Sequence, residues 1–88
     1  MKTIYYNLDS GVDPLDKDQK LIPNNKVVAV TIADSDTKEW NSWSVPVDDF
    51  KADDIVDAKF VPVADPFEEG LKLTHEKGYR RTKLDIWK

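Results

Sequence analysis

The sequence predicts an α+β fold in a single domain: a curved antiparallel sheet of about five strands, in the order β-β-β-β-α-β, with one helix packed on it. Three observations lead to this prediction. The chain has 88 residues, the size of one small domain. Its N-terminal part alternates turn formers with segments rich in β-branched and aromatic residues. A single helix signature follows near the C-terminus. Strong curling would close such a sheet into a small barrel, and the sequence leaves both forms open.

The first predicted strand is Thr3–Leu8, which combines β-branched and aromatic residues. A long connection over residues 9–25 follows, with Gly11, Pro14 and Pro23 as turn formers. A structureless loop of this length is uncommon and often functional. We expect its apolar residues to pack back on the body of the domain: Val12, Leu15, Leu21 and Ile22.

The most apolar run is Lys26–Ala33, which predicts a central strand buried on both faces. Asp34–Glu39 is a polar turn, and Trp40–Val47 is the predicted return strand of a hairpin. Pro46 has no amide donor, so this strand is expected at a sheet edge, or its hydrogen-bond ladder breaks there.

Asp48–Asp54 suits a turn or one short helical turn capped by Asp48, with Phe50 inserted into the core. Ile55–Val63 is the next predicted strand, and it is expected to end or break near Pro62.

The helix signature begins with Asp65 as N-cap, Pro66 in the first helical position and Glu68 as the partner in a capping box. Gly78 is placed to end the helix in a left-handed cap. Gly70 lowers helix propensity by about 1 kcal/mol relative to alanine, which predicts close packing on the sheet. A final strand is expected in which the charged residues alternate with uncharged ones. The charged set is Arg81, Lys83 and Asp85, and the uncharged set is Thr82, Leu84 and Ile86.

The composition narrows function mainly by exclusion. The chain has no cysteine, which excludes disulfide scaffolds, thiolate metal sites and cysteine nucleophiles and favours a reducing cytosol. Met1–Leu8 contains no apolar run of the length of a signal peptide or membrane span, so a cytoplasmic protein without membrane attachment is expected.

No sequence motif indicates catalysis. Three glycines form neither a phosphate loop nor a dinucleotide fingerprint, and His75 is the single histidine. The acidic clusters of residues 9–18 and 34–39 lack the spacing of a calcium loop. We therefore expect no enzyme, no cofactor and no metal site. A hydrolase or a small-molecule binding protein would need a pocket near His75 or the acidic loops.

Charge is unevenly distributed along the chain, whose net charge is −4. Residues 1–57 contain 12 acidic and 6 basic side chains, a net charge of −6, whereas residues 58–88 carry a net charge of +2. A surface with this excess of carboxylates repels a phosphate backbone over most of its area.

The leading functional hypothesis is an acidic protein-interaction module: an accessory, regulatory or inhibitor protein, by analogy with small proteins of phages and mobile elements. It would dock on a basic surface of a nucleic-acid-handling partner. Trp40 and Trp43 lie three residues apart and face opposite ways, so one is expected to be exposed unless the helix and the long loop cover both faces of the sheet. An exposed aromatic such as Trp40 would anchor the contact. Steering would come from the densest acidic run: Asp48, Asp49, Asp53, Asp54 and Asp57.

Two alternatives remain open. The basic and aromatic residues of the C-terminal strand could contact nucleic acid through charge and stacking: Tyr79, Arg81, Lys83 and Trp87. The chain could instead be a self-associating structural or assembly protein that pairs through an exposed edge strand, such as the one that contains Pro46.

Overall fold

The structure is a computed structural model that describes residues 2–12, 18, 20–23, 25–50 and 58–84. These residues form seven strands, one α-helix and one 3-10 turn over Val47–Asp49. In chain order the elements are β1 (Lys2–Asn7), β2 (Ser10–Val12), β3 (Leu21–Pro23), β4 (Val27–Asp34), β5 (Glu39–Pro46), β6 (Ala58–Pro62), α1 (Pro66–Lys77) and β7 (Arg80–Arg81).

Five of the strands form one sheet in the order β6-β1-β4-β5-β7. The prediction of an α+β fold with a five-stranded sheet and one helix is confirmed. The prediction that the sheet is antiparallel is wrong at both edges, because β6 runs parallel to β1 and β7 runs parallel to β5. The reason is α1, which connects β6 to β7 across the sheet; a crossover of this kind brings the next strand back in the same direction. Within the described residues β6 and β7 are opposite edges, so the sheet is open and not a barrel.

The long connection contains a second, two-stranded sheet, formed by β2 and β3. The expected packing of this segment on the body is confirmed for Val12, which is 5% exposed, and is wrong for Ile22, which is 45% exposed. Val12 is attached to β5 through one hydroxyl: its N–H donates to Ser44 Oγ, which in turn donates to the Val12 carbonyl at 2.9 Å. Leu15 lies outside the described residues.

The predicted central strand is confirmed as β4, whose residues 28–33 are all buried. Alternate side chains of β4 point to opposite faces of the sheet. On one face the side chains of β4 are small, and α1 and the β2–β3 hairpin pack there. On the other face Val28 and Val30 pack with Val45, and Phe50 packs against this cluster as expected. The sheet is therefore covered on both faces.

The helix has the predicted ends. The Asp65 side chain accepts a hydrogen bond from the Glu68 N–H at 3.1 Å, which confirms the N-cap. Gly78 has a φ of 72°, and the Tyr79 N–H donates to the Leu73 carbonyl at 3.2 Å, as in a glycine-terminated helix. Across its 12 residues α1 is too short to cross a bilayer, and the part of the chain that the structure describes has no helix that is long and apolar enough to do so.

Close packing at Gly70 is confirmed. A Cβ atom built on Gly70 would overlap the indole ring of Trp40 in β5. The Trp40 Nε1–H donates to Thr74 Oγ1 at 2.8 Å, and the Phe67 ring meets the indole edge-on at 5.8 Å between centroids. The helix thus rests directly on the tryptophan, and its glycine is the point of closest approach.

Several predicted boundaries shift. The final strand is limited to Arg80–Arg81, although the Thr82 N–H still donates to the Trp40 carbonyl at 2.9 Å. The 3-10 turn begins after Pro46, so Asp48 lies inside it and is not its cap. The strand that contains Pro46 is not an edge strand, because β7 pairs with Glu39 and Trp40 of β5; among the described residues this outer pairing does not extend as far as Pro46. Residues 55–57 and Ile86 lie outside the described residues.

Candidate docking surface

The candidate surface is the end of the sheet at which β1, β5 and β6 finish. The register places these ends together, because Asn7 pairs with Ala29 and Pro46 pairs with Val27 at the start of β4. We name this surface the acidic end and define it by the residues that follow β1 and β5: Leu8, Asp9, Val47, Asp48 and Asp49.

The acidic end exposes apolar side chains. Among the described residues, three large hydrophobic side chains are exposed, and two of them, Leu8 and Val47, belong to this surface at 51% and 41% exposure. Each follows directly on the last paired residue of a strand, so the backbone turns away before the side chain reaches the core.

A groove opens between the ends of the parallel strands β1 and β6, and we call it the β1–β6 groove. Its volume is about 470 Å³, within the range of about 300–1,000 Å³ that ligand pockets occupy. The groove forms because the backbone after β1 enters the β2–β3 hairpin, whereas the backbone after β6 leads into α1, so these two segments diverge. The lining residues are Tyr6, Asn7, Leu8, Asp9, Pro62, Val63 and Ala64.

Asn7 fixes both walls of this groove. Its Nδ2 donates to the Ala64 carbonyl at 2.7 Å, and its Oδ1 accepts the Asp9 N–H at 2.9 Å. A third hydrogen bond, from the Val63 N–H to the Tyr6 carbonyl at 3.0 Å, joins the walls at the base. A single amide therefore links the turn after β1 to the segment after β6, and hydrogen bonds within the chain set the shape of the groove.

The described residues of the acidic end carry negative charge. Asp9, Asp48 and Asp49 are exposed, and no ion pair to their carboxylates occurs within the described part of the chain. Lys26 precedes β4 and is paired with this surface through its backbone: its carbonyl accepts the Val47 N–H at 2.9 Å. Counted over the described residues named here, three carboxylates and one ammonium group give a net negative charge.

An aromatic cluster links the groove to the 3-10 turn. The Tyr6 and Phe50 rings lie 5.1 Å apart, and Phe60 completes the cluster at 5.8 Å from Phe50. Phe50 directly follows Asp49, so the acidic turn is held against the wall that Tyr6 contributes to the groove. The same aromatic cluster therefore contacts both the groove and the 3-10 turn.

The predicted docking residues are distributed differently from expectation. Asp48 and Asp49 are exposed at the acidic end, whereas Asp53, Asp54 and Asp57 lie outside the described residues. The expectation that Trp40 is exposed is wrong: its side chain is 2% exposed and lies beneath α1. The physical reason is that the sheet is covered on both faces. Trp43, on the opposite face, is half-buried against the Val28–Val45 cluster.

The C-terminal basic and aromatic residues take part in intramolecular contacts. Tyr79 is 6% exposed and packs in the core beside Trp40. Arg81 donates from Nε to Asn41 Oδ1 at 3.2 Å and from Nη2 to the Ser42 carbonyl at 3.1 Å. Its guanidinium lies 5.4 Å from the Trp40 ring, and burial lowers the pKa of Arg81 below its usual value. Lys83 is exposed, and Trp87 lies outside the described residues.

Other kinds of site find little support in the side chains that the structure describes. They contain no group of three or more histidine, cysteine, aspartate or glutamate residues that could hold a metal ion. His75 is exposed on α1 and does not line the β1–β6 groove. Comparison of the chain with protein-family models, curated proteins and solved structures finds no match.

The groove residues were missed because the first strand was predicted one residue too long, through Leu8. An asparagine two residues before an aspartate is a sequence signal for a side-chain-stabilised turn, in which the asparagine oxygen accepts the N–H two residues on. Asn7 and Asp9 follow this pattern. The approach of Ala64 depends on the parallel pairing of β1 with β6, for which no local sequence signal exists.

Proposed function

We propose that this chain is a non-enzymatic protein-interaction module that docks through its acidic end on a basic surface of a partner protein and acts as an accessory, regulatory or inhibitor protein. One observation carries the proposal: the strand ends at one end of the sheet expose two large apolar side chains, Leu8 and Val47, and each is followed in the chain by exposed carboxylates, Asp9 after Leu8 and Asp48 and Asp49 after Val47. The partner class that fits this chemistry is a nucleic-acid-handling protein, whose basic surface is suited to phosphates and accepts carboxylates in their place.

The two parts of the surface contribute differently to binding. Full burial of an exposed leucine or valine side chain contributes about 1.5–3 kcal/mol, and Leu8 and Val47 are each about half exposed, so each can contribute about 1 kcal/mol. The carboxylates mainly raise the association rate and fix the orientation of the encounter. Affinity should therefore depend on the apolar pair, and its salt dependence on Asp48 and Asp49.

The test compares four tagged proteins in capture from the source lysate: wild type, Asp48→Asn/Asp49→Asn, Leu8→Ser/Val47→Ser, and a control, Glu68→Gln/Glu76→Gln. The control removes two exposed carboxylates from α1 and so changes the net charge by the same amount as the first variant. Each captured protein is then purified and its affinity for the four chains measured at two salt concentrations.

The expected result is a partner with a basic surface whose affinity falls at least tenfold in the Leu8→Ser/Val47→Ser variant, falls at the lower salt concentration in the Asp48→Asn/Asp49→Asn variant, and stays unchanged in the control. The salt dependence should be weaker for the Asp48→Asn/Asp49→Asn chain. Equal affinities of this variant and the Glu68→Gln/Glu76→Gln control would show that the acidic end does not steer docking, and the proposal would be abandoned.

Retention on a heparin column separates this proposal from nucleic-acid binding. Because the Tyr79 ring is buried and the Arg81 guanidinium is engaged within the fold, we expect the chain to pass through at low salt. Retention with a steep salt dependence that Lys83→Gln weakens would favour the C-terminal segment as a phosphate contact instead.

A further inference from the structure

The chemistry of the β1–β6 groove selects a ligand that is cationic at one point and apolar over the rest. Asp9 supplies the only formal charge among the lining residues. The polar groups of Asn7 are used within the chain, on Ala64 and on the Asp9 N–H. The other described lining residues are Tyr6, Leu8, Pro62, Val63 and Ala64.

We propose that this groove binds an arginine side chain of the partner protein. The inference rests on the proposed function, because it names the group that the acidic end would receive. An arginine has an apolar stem that can lie on Leu8 and Pro62, and its planar guanidinium can form two parallel hydrogen bonds with the Asp9 carboxylate.

Arginine fits this site better than lysine. The ammonium group of lysine is strongly hydrated and carries its charge at a point, whereas the guanidinium is weakly hydrated and matches a carboxylate in its own plane. The described lining of the groove offers one carboxylate and similar amounts of polar and apolar surface, so a cation that combines an apolar stem with several hydrogen-bond donors is favoured. Because hydrogen bonds within the chain already fix both walls, little ordering is required on binding.

The test is a titration of the full ¹⁵N-labelled chain, followed by amide chemical shifts, with three capped tripeptides: Gly-Arg-Gly, Gly-Lys-Gly and Gly-citrulline-Gly. Citrulline has the shape of arginine without its charge. We expect the arginine peptide to bind in the millimolar range and to shift the amides of Leu8, Asp9, Val63 and Ala64. The lysine and citrulline peptides should bind at least three-fold and ten-fold more weakly, respectively.

The matched variants are Asp9→Asn and Asp48→Asn/Asp49→Asn. Asp9 contributes its backbone N–H, not its side chain, to the turn with Asn7, so Asp9→Asn should retain the fold while it abolishes preferential binding of the arginine peptide. Asp48 and Asp49 do not line the groove, and their double variant should bind the arginine peptide within about two-fold of wild type at fixed ionic strength.

Four results would overturn the assignment: equal binding of the arginine and citrulline peptides, equal binding of the arginine and lysine peptides, shifts that fall elsewhere on the chain, or unchanged binding of the arginine peptide by Asp9→Asn. The outcome is separable from that of the proposed function. A partner whose affinity depends on Asp48 and Asp49 but not on Asp9 keeps the docking surface and removes the groove from it. The reverse pattern keeps the arginine site and removes the steering role of the 3-10 turn.

Discussion

Gly70→Ala should destabilise the fold, although alanine is the better helix former. Two effects of opposite sign compete at this position. Replacing a glycine by alanine inside a helix stabilises by about 1 kcal/mol. The added methyl group, however, would overlap the indole of Trp40, and overpacking of a core costs typically about 1–3 kcal/mol.

The overlap should cost close to the upper limit because the indole cannot move aside. Trp40 is 2% exposed. Its Nε1–H is hydrogen-bonded to Thr74 at 2.8 Å, and the Arg81 guanidinium lies over its ring at 5.4 Å. A cost of about 3 kcal/mol less a gain of about 1 kcal/mol leaves a net destabilisation of about 2 kcal/mol. In a domain of this size that lowers Tm by about 8–16 °C.

Thermal and urea unfolding followed by far-UV circular dichroism measure this change. The control is the same substitution in a chain that carries Trp40→Leu, in which the indole is absent. There Gly70→Ala should be neutral or stabilising by up to about 1 kcal/mol, so the two positions should show a coupling energy of about 2–3 kcal/mol. A rise in Tm of the single variant, or the same effect in both backgrounds, would refute the inferred contact.

Three further substitutions test other parts of the structure. Thr31→Val should lower the free energy of unfolding by about 1–2 kcal/mol in urea, because the buried Thr31 hydroxyl donates to the Pro66 carbonyl at 2.6 Å. A decrease of less than about 0.3 kcal/mol would show that this hydrogen bond does not stabilise the fold. Asp65→Ala should cost about 1 kcal/mol by loss of the N-cap, and Asp65→Asn should recover most of it; equal losses would contradict a capping role. Burial, with the negative charge of Glu69, raises the pKa of Tyr5 above its usual 10.0. The folded state therefore holds this proton to a higher pH than the unfolded chain, and stability should fall as pH rises above 10. Tyr5→Phe should show a smaller fall between pH 9 and pH 11 in the same unfolding assay, and an equal fall would exclude Tyr5 as its source.

The parts of the fold that the sequence predicts are those set by local chemistry. Asp65 and Gly78 mark the helix ends because capping depends on residues within a few positions of each other. The central strand follows from its continuous apolar run. Gly70 is informative for a related reason: an unfavourable residue inside a helix needs a compensating contact, and the contact proved to be Trp40.

The errors concern pairings between distant segments. Strand direction at the edges depends on where α1 leads the chain, and the hydrophobic pattern of β6 or β7 is the same in either direction. The burial of Trp40 depends on the same crossover, since α1 must pass over β5 to reach β7. The β1–β6 groove also arises from this pairing. A helix between two strands is nevertheless a signal for parallel strands, and it could have been applied to β6 and β7.

The separation of charge in the structure supports docking in one orientation. Arg80 and Arg81 pair with the start of β5, at Glu39 and Trp40, whereas Asp48 and Asp49 follow its end. An eight-residue strand at about 3.3 Å per residue places these groups roughly 23 Å apart. That distance is more than twice the screening length of about 8 Å at physiological ionic strength. The basic segment therefore neutralises little of the field at the acidic end, even though it reduces the net charge of the chain. Under the proposed function, a basic partner would be attracted to the carboxylates of Asp48 and Asp49 with little interference from Arg80 and Arg81, at the end of the sheet that exposes Leu8 and Val47.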